Sequence, residues 1–180
     1  MAARRAGGDE SPPGELEKDA VAASRDAGVT LTGAFDDQVA VLRGGCHLAD
    51  NRRAAVVRTL PVPRWHVAVW VPDVAIPKER VRDVATDAVR RDAERLAAEL
   101  RPETVPSTMT KNGELFLRLY RAAGLPVDAR PVEVALAAGA LGAGLSGTGP
   151  AVAALFDSPT RLPAVPGGSW AWTRVAEGMP

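Results

Sequence analysis

Two short segments carry the residue types and spacing that could do chemistry. The first is Thr30-Leu31-Thr32-Gly33-Ala34-Phe35-Asp36-Asp37-Gln38. Two adjacent carboxylates follow two hydroxyls and a glycine, in a loop that leads into an apolar run. A carboxylate so placed can orient an alcohol and accept its proton as attack proceeds. The same residues also build a solvated turn closed by an Asx hydrogen bond. The second segment is Gly142-Ala143-Gly144-Leu145-Ser146-Gly147-Thr148-Gly149-Pro150, with four glycines and two hydroxyls. Successive backbone N–H groups in such a run can cradle an anion, and the small residues allow another backbone to come close. A purely structural turn is the alternative reading. The string GAGLSG fits G-x-G-x-x-G, but a dinucleotide fingerprint needs a strand before it and a helix after it. Here the expected order is helix, loop, strand. No lysine follows the glycines, so this is not a phosphate loop of the Walker type either.

Other chemically able residues are isolated. His47 and His66 are the two histidines, neither has a partner at ligand spacing, and no three-ligand zinc site is visible. His66 reads as a sheet-face residue. Cys46 reads as a small buried hydrophobe with no histidine paired to it for nucleophilic work. Trp65, Trp70, Trp170 and Trp172 fall on expected strands, without the basic stripe that a base-stacking surface needs. Lys111-Asn112-Gly113 reads as the start of a helix.

The elements that must position these segments follow from hydrophobic period. Residues 15–27 place Leu16, Ala20, Ala23 and Ala27 at helical spacing, with Gly28 as the stop. GVTLTGAFDD gives a brief extended run and a loop. QVAVLRG at 38–44 alternates as a strand, with CHLADNR as a returning strand and a further extended run at 54–60. RWHVAVWVP at 64–72 alternates, with Trp65, Val67, Val69 and Val71 on one side. The strongest amphipathic helix spans 78–100, between Pro77 and Pro102. Helices follow at 107–123, stopped by Gly124, and at about 131–141; strands follow at 150–156 and 169–175. That order is α+β, not a regular βαβ alternation.

Composition bounds the function classes. The chain has 180 residues, about one domain or one and a fragment. Lys+Arg 22 against Asp+Glu 22 gives no net charge, which excludes a polyelectrolyte binder of nucleic acid or of an anionic membrane. Nineteen of the basic residues are arginine, a bias read as genomic composition. Hydrophobic content of 46% and charged content of 24% are ordinary for a globular protein. Cys46 alone excludes an internal disulfide framework. Arg4-Arg5 have no apolar stretch behind them, and 135–145 is too short to span a bilayer. The expected compartment is the reducing cytoplasm. Residues 1–14 lack periodicity and read as a disordered tail.

Four segments together resemble a known family. AASRDAGVTLTGAFDDQVAVLRGG at 22–45, DNRR at 50–53, STMTKNGELF at 107–116 and LSGTGPAVAAL at 145–155 look like the archaeal type of shikimate kinase. That type belongs to the GHMP superfamily of galactokinase, homoserine kinase, mevalonate kinase and phosphomevalonate kinase. The resemblance implies a GHMP-type α+β fold, with 15–60 as the end of its N-terminal domain and 61–180 as its ferredoxin-like C-terminal domain. It implies transfer of phosphate from ATP, with Mg²⁺, to shikimate, giving 3-phosphoshikimate. The acid near the accepting hydroxyl maps to Asp36, with Asp37 as the alternative. Thr32 and Gly33 flank it, and Gly144, Ser146, Gly147, Thr148 and Gly149 map near phosphate or substrate.

One family feature has no counterpart. The main ATP-phosphate loop, a Gly-Leu-x-Ser-Ser type segment opening a helix, belongs upstream of the acidic loop, and SPPGELEK at 11–18 does not replace it. The expectation is a C-terminal part of such a kinase: a truncated reading frame, a split enzyme whose N-terminal half is a separate chain, or a remnant. Two rivals accompany it, a GHMP kinase for another alcohol such as homoserine, and a non-catalytic partner subunit.

Overall fold

The computed structural model describes residues 13–28, 34–74, 87–147 and 149–176. They fall into two units, one ending at Val62 and rejoined by Ala176, the other running Pro63–Val175. Expectations that fall on 1–12, 29–33, 75–86, Thr148 and 177–180 lie outside the described residues, and residues 13–14, expected in the tail, open a helix.

The first unit begins with α1 (Pro13–Asp26), which has Glu15 near its start and Arg25 near its end. Gly28, at φ 66, closes it by donating its N–H to the Arg25 carbonyl. The buried stripe is Leu16, Glu17, Ala20 and Val21. Ala23 and Ala27, expected on that stripe, are exposed. An alanine methyl tolerates either side, so the bulk of Leu16 and Val21 decides the rotation of the helix.

Residues 38–44 are not a strand. Residues 38–43 belong to α2 (Phe35–Arg43), and Gly44 caps its end. The apparent alternation rested on Val39 and Val41, and over so short a run periods of 2 and 3.6 are hard to separate. Burial separates them: Phe35 and Val39, four apart, are both buried, while Val41 is 79% exposed. Asp36 and Asp37 therefore stand in the first turn of a helix, not in a loop ahead of a strand. Strand β1 (Cys46–Asp50) pairs antiparallel with β2 (Ala55–Leu60), the segment after it, and a bulge lies between Leu48 and Ala49. Val21, Phe35 and Val39 form the small core of this unit, with Ala49, Ala54 and Val56 against it.

The second unit holds β3 (His66–Pro72), α3 (Asp87–Glu99), α4 (Val105–Ala122), α5 (Arg130–Ala137), β4 (Gly142–Leu145), β5 (Val152–Phe156) and β6 (Gly168–Arg174). The four strands form one sheet, ordered β4-β5-β3-β6, with every neighbouring pair antiparallel. The valine face of β3 is not the core face: Ala68 and Trp70 are buried, while Val71 is 48% exposed. Alternation says which residues share a face and is silent on which face gets covered. Lys111-Asn112-Gly113 lies inside α4 and does not open it. Residues 142–145, expected in a loop, form β4, fully buried along its length.

The glycines of that strand have a steric reason. A β-carbon on Gly144 would stand 2.6 Å from the Met109 carbonyl oxygen, and one on Gly113 would stand 2.6 Å from the Gly144 Cα. One on Gly142 would overlap the Pro106 carbonyl. So α4 lies backbone to backbone on β4. Thr110 joins them: its Oγ1 accepts the Ala143 N–H at 3.0 Å and donates to the Pro106 carbonyl at 3.3 Å. Both α4 and α5 end on glycine. Gly124 and Gly139 have φ of 64 and 91, and the N–H groups of Leu125 and Ala140 reach back to the Tyr120 and Ala135 carbonyls.

Two outcomes follow. Gly144→Ala should destabilise the chain by about 2 kcal/mol or more, as overpacking against a backbone does. Gly147→Ala, which meets nothing within 4 Å but carries φ 57, should cost only about 1 kcal/mol. Denaturant melts of the two variants check the contrast. Asp128 accepts from both the side chain and the backbone N–H of Arg130. The hydrogen bond from the Arg130 guanidinium, foremost, holds the Asp128 carboxyl below its usual value, against the opposing pull of desolvation. A depressed folded pKa gives stability that is present above the unfolded value and lost as pH falls through the folded one. Asp128→Asn should therefore melt below wild type near neutral pH, and thermal melts should show that gap closing below the ordinary carboxylate value of about 3.9.

Candidate active site

The acidic segment is built at the start of α2. Ala34, the residue that caps this helix, sits in the left-handed region at φ 48 and has no side chain that could bond the first turn. The cap comes from elsewhere. The Asp36 N–H donates to Asn51 Oδ1 at 2.9 Å, and Asn51 Nδ2 donates back to Asp36 Oδ1 at 2.8 Å. Asn51 lies at the tip of the β1–β2 hairpin, where Asp50 Oδ1 accepts the N–H groups of Arg52 and Arg53. Asp36 and Asp37 are both exposed, and the partial positive end of the helix favours carboxylates there.

The other end of α2 is held by an ion pair. Arg43 donates from Nε and Nη2 to the two carboxylate oxygens of Glu17, at 2.6 and 2.8 Å. The Glu17 side chain is 2% exposed and that of Arg43 33%. The hydrogen bond to Glu17 leads in raising the Arg43 pKa above its ordinary value; desolvation works against it. His47 is structural. Its Nε2 faces the Gly44 carbonyl at 2.6 Å, which can only accept, so Nε2 carries a proton; Nδ1 faces the Thr59 hydroxyl at 3.0 Å.

The glycine-rich segment is the turn between β4 and β5. It follows a strand, not a helix as expected. Gly144 is inside β4 and packs on α4, whereas Ser146 and Gly147 are exposed. The turn uses part of its own nest: Ser146 donates its N–H to the Ala151 carbonyl, and Gly149 donates to that of Ser146. The Gly147 N–H has no partner among the described residues. Thr32, Gly33 and Thr148 lie outside the described residues. No group of three or more His, Cys, Asp or Glu among the described residues is placed to hold a metal ion. No helix among them is long and apolar enough to cross a membrane.

Sequence reasoning missed Asn51 and the Glu17–Arg43 pair. DNRR contributed to the resemblance, yet Asn51 read locally as part of a returning strand, whereas it lies in the turn after β1. Its partner is fifteen positions away, and no spacing rule links a hairpin tip to a helix cap.

Comparison with known proteins now bears on this geometry. Residues 87–166 match the family described as GHMP kinases C terminal. Shikimate kinase of Halobacterium salinarum is 39% identical over 142 residues, covering 76% of this chain and 46% of that protein. Shikimate kinase of Methanothrix thermoacetophila is 38% identical with the same coverage, and that of Pyrococcus furiosus is 32% identical over 79% of this chain and 50% of its own length. The chain thus spans about half the length of these curated relatives. A crystal structure of homoserine kinase from Cytophaga hutchinsonii shares the fold, at a TM-score of 0.64 and 18% identity, over 98% of this chain and 61% of that one. The expected resemblance and the GHMP-type α+β fold are both borne out.

The ion pair gives a test of what holds α2. Arg43→Met leaves Glu17 buried and unpaired and should cost about 3 kcal/mol, the low end for a buried pair because the guanidinium is partly exposed. The double change Glu17→Leu with Arg43→Met should recover most of that loss in a double-mutant cycle read by denaturant melts.

Proposed function

We propose that this chain is the C-terminal part of a GHMP-type kinase that transfers the γ-phosphoryl group of ATP to shikimate. The observation that carries the reading is its identity of 32–39% with proteins named shikimate kinase from several organisms. In this reading, 15–60 completes an N-terminal domain and 61–180 is the C-terminal domain. A shikimate hydroxyl oxygen attacks the γ-phosphorus, the bond from γ-phosphorus to the β–γ bridging oxygen breaks, and ADP leaves. Asp36 orients that hydroxyl and takes its proton late; Asp37, the next residue on the helix, is the alternative. A carboxylate is a weak base toward an alcohol, so its main work is placement.

The turn at Ser146, Gly147, Thr148 and Gly149 lies near phosphate or substrate in this reading, with Thr32 and Gly33 beside the acid. Of these, the Gly147 N–H, without a partner among the described residues, is the donor best suited to a phosphate oxygen. The described residues offer no preformed cage for Mg²⁺. Magnesium commonly binds through substrate phosphates and water with one or two carboxylates, and would come here with the nucleotide.

A second reading is favoured by one observation, the coverage of about half of each relative. Here the chain is a non-catalytic or split partner whose phosphate loop sits on a separate N-terminal chain.

An ADP-release assay with shikimate, homoserine and mevalonate tests the substrate, run on the chain alone and with the N-terminal half of a relative added. Turnover of shikimate, lowered about 10²- to 10⁴-fold by Asp36→Asn, is expected. Equal or faster turnover of homoserine or mevalonate would overturn the choice of substrate. Tight ATP–Mg²⁺ binding by the chain alone, measured by calorimetry, would overturn the second reading.

A further inference from the structure

We propose that Asn51 is a positioning residue for Asp36, fixing which aspartate, and which of its oxygens, meets the acceptor hydroxyl. This rests on Asp36 being the acid of the kinase reading and adds a residue on a separate element.

A helix start leaves four N–H groups without internal partners. Ala34 cannot serve them, since it has only a methyl group, and its φ of 48 turns the chain sharply into α2. Asn51 fills that gap from the hairpin tip, and does so with both ends of its amide. Oδ1 takes the Asp36 backbone N–H, and Nδ2 gives a hydrogen bond to the Asp36 carboxylate. The first contact fixes the backbone of the acid, the second its side chain. The demand selects the residue type. Aspartate offers the acceptor but no donor when ionised, serine is too short to span both contacts, and glutamine is one methylene longer.

Asn51 is held in turn by Asp50, whose carboxylate accepts the two N–H groups that follow, so the tip cannot swing freely. Asp36 Oδ1 is taken by Asn51, and Oδ2 remains the oxygen available to an alcohol. Asp37 lies about 100° further around the helix, so the clamp distinguishes the two carboxylates that sequence alone left as alternatives. Both hydrogen bonds are exposed to solvent. Their contribution is therefore order at one carboxylate more than global stability.

Two substitutions separate positioning from capping. Asn51→Asp keeps an oxygen for the Asp36 N–H and removes the donor to its carboxylate; Asn51→Ala removes both. In the shikimate phosphorylation assay, both should lower kcat roughly 10- to 100-fold, as misplaced reacting groups do, with KM for ATP unchanged. Hydrogen exchange at the Asp36 amide should rise roughly fivefold in Asn51→Ala, the equivalent of one ordinary hydrogen bond, and stay near wild type in Asn51→Asp. A merely structural cap would leave Asn51→Asp active. Wild-type kcat in both variants, beside an inactive Asp36→Asn, would overturn the role of Asn51 and leave the kinase reading standing. Wild-type turnover in Asp36→Asn would overturn Asp36 as the acid, and this proposal with it. Unchanged Asp36 exchange in Asn51→Ala would overturn the clamp whatever the kinetics.

Discussion

The second unit depends on the close approach of α4 to β4. Gly113, Gly142 and Gly144 leave no β-carbon at the points of closest approach, and the Thr110 hydroxyl bridges the two backbones. Because the helix sits so near, the centre of the sheet must also be thin. Ala68, Ala143 and Ala154 are fully buried there, and the bulk comes from Trp70, Tyr120, Leu145 and Phe156 around them. Interiors pack at crystal-like density, so a methyl group added at the seam has nowhere to go. The turn after β4 inherits its place from this packing. Its exposed residues Ser146 and Gly147 follow a strand whose every residue is buried.

Much of this was legible in the sequence, and the failures have physical reasons. α1 and α4 announced themselves as helical runs stopped by Gly28 and Gly124, and β3 and β6 by alternation; β5 read as a short apolar run, and α5, expected to about 141, stops at Ala137. α2 was misread because two valines two apart fit a strand, while the pair that decides the matter, Phe35 with Val39, was split between an expected loop and an expected strand. β4 was hidden by composition. Glycine weakens strands on propensity, and its use here is explained only by a helix that approaches from thirty residues away. The two aspartates stood out by residue type, but their setting in the first turn of a helix was not legible. The residue that orders Asp36 is distant in sequence and has the type of an ordinary turn asparagine.

The first unit shows how a short helix can be made rigid. A nine-residue helix is too short to be stable in water by itself. α2 is tied at its start by Asn51 and near its end by Glu17, two side chains from two different elements. Its middle is fixed by Phe35 and Val39 in a core of three buried residues. Polar contacts thus hold both ends of this helix, and Asp36 makes those at its first turn.

The route of the chain has a consequence of its own. The second unit is entered at Pro63 and left at Val175. Those ends are neighbours, since the Val175 N–H bonds the Trp65 carbonyl and the strands that carry them are paired as His66 with Arg174. The next residue, Ala176, accepts the Gly45 N–H and returns the chain to the first unit. Topologically the second unit is a guest within a host: excising it would leave two ends close enough to be joined by a short linker. It is therefore a natural subject for circular permutation, with new termini opened at an exposed turn and no strand pairing lost.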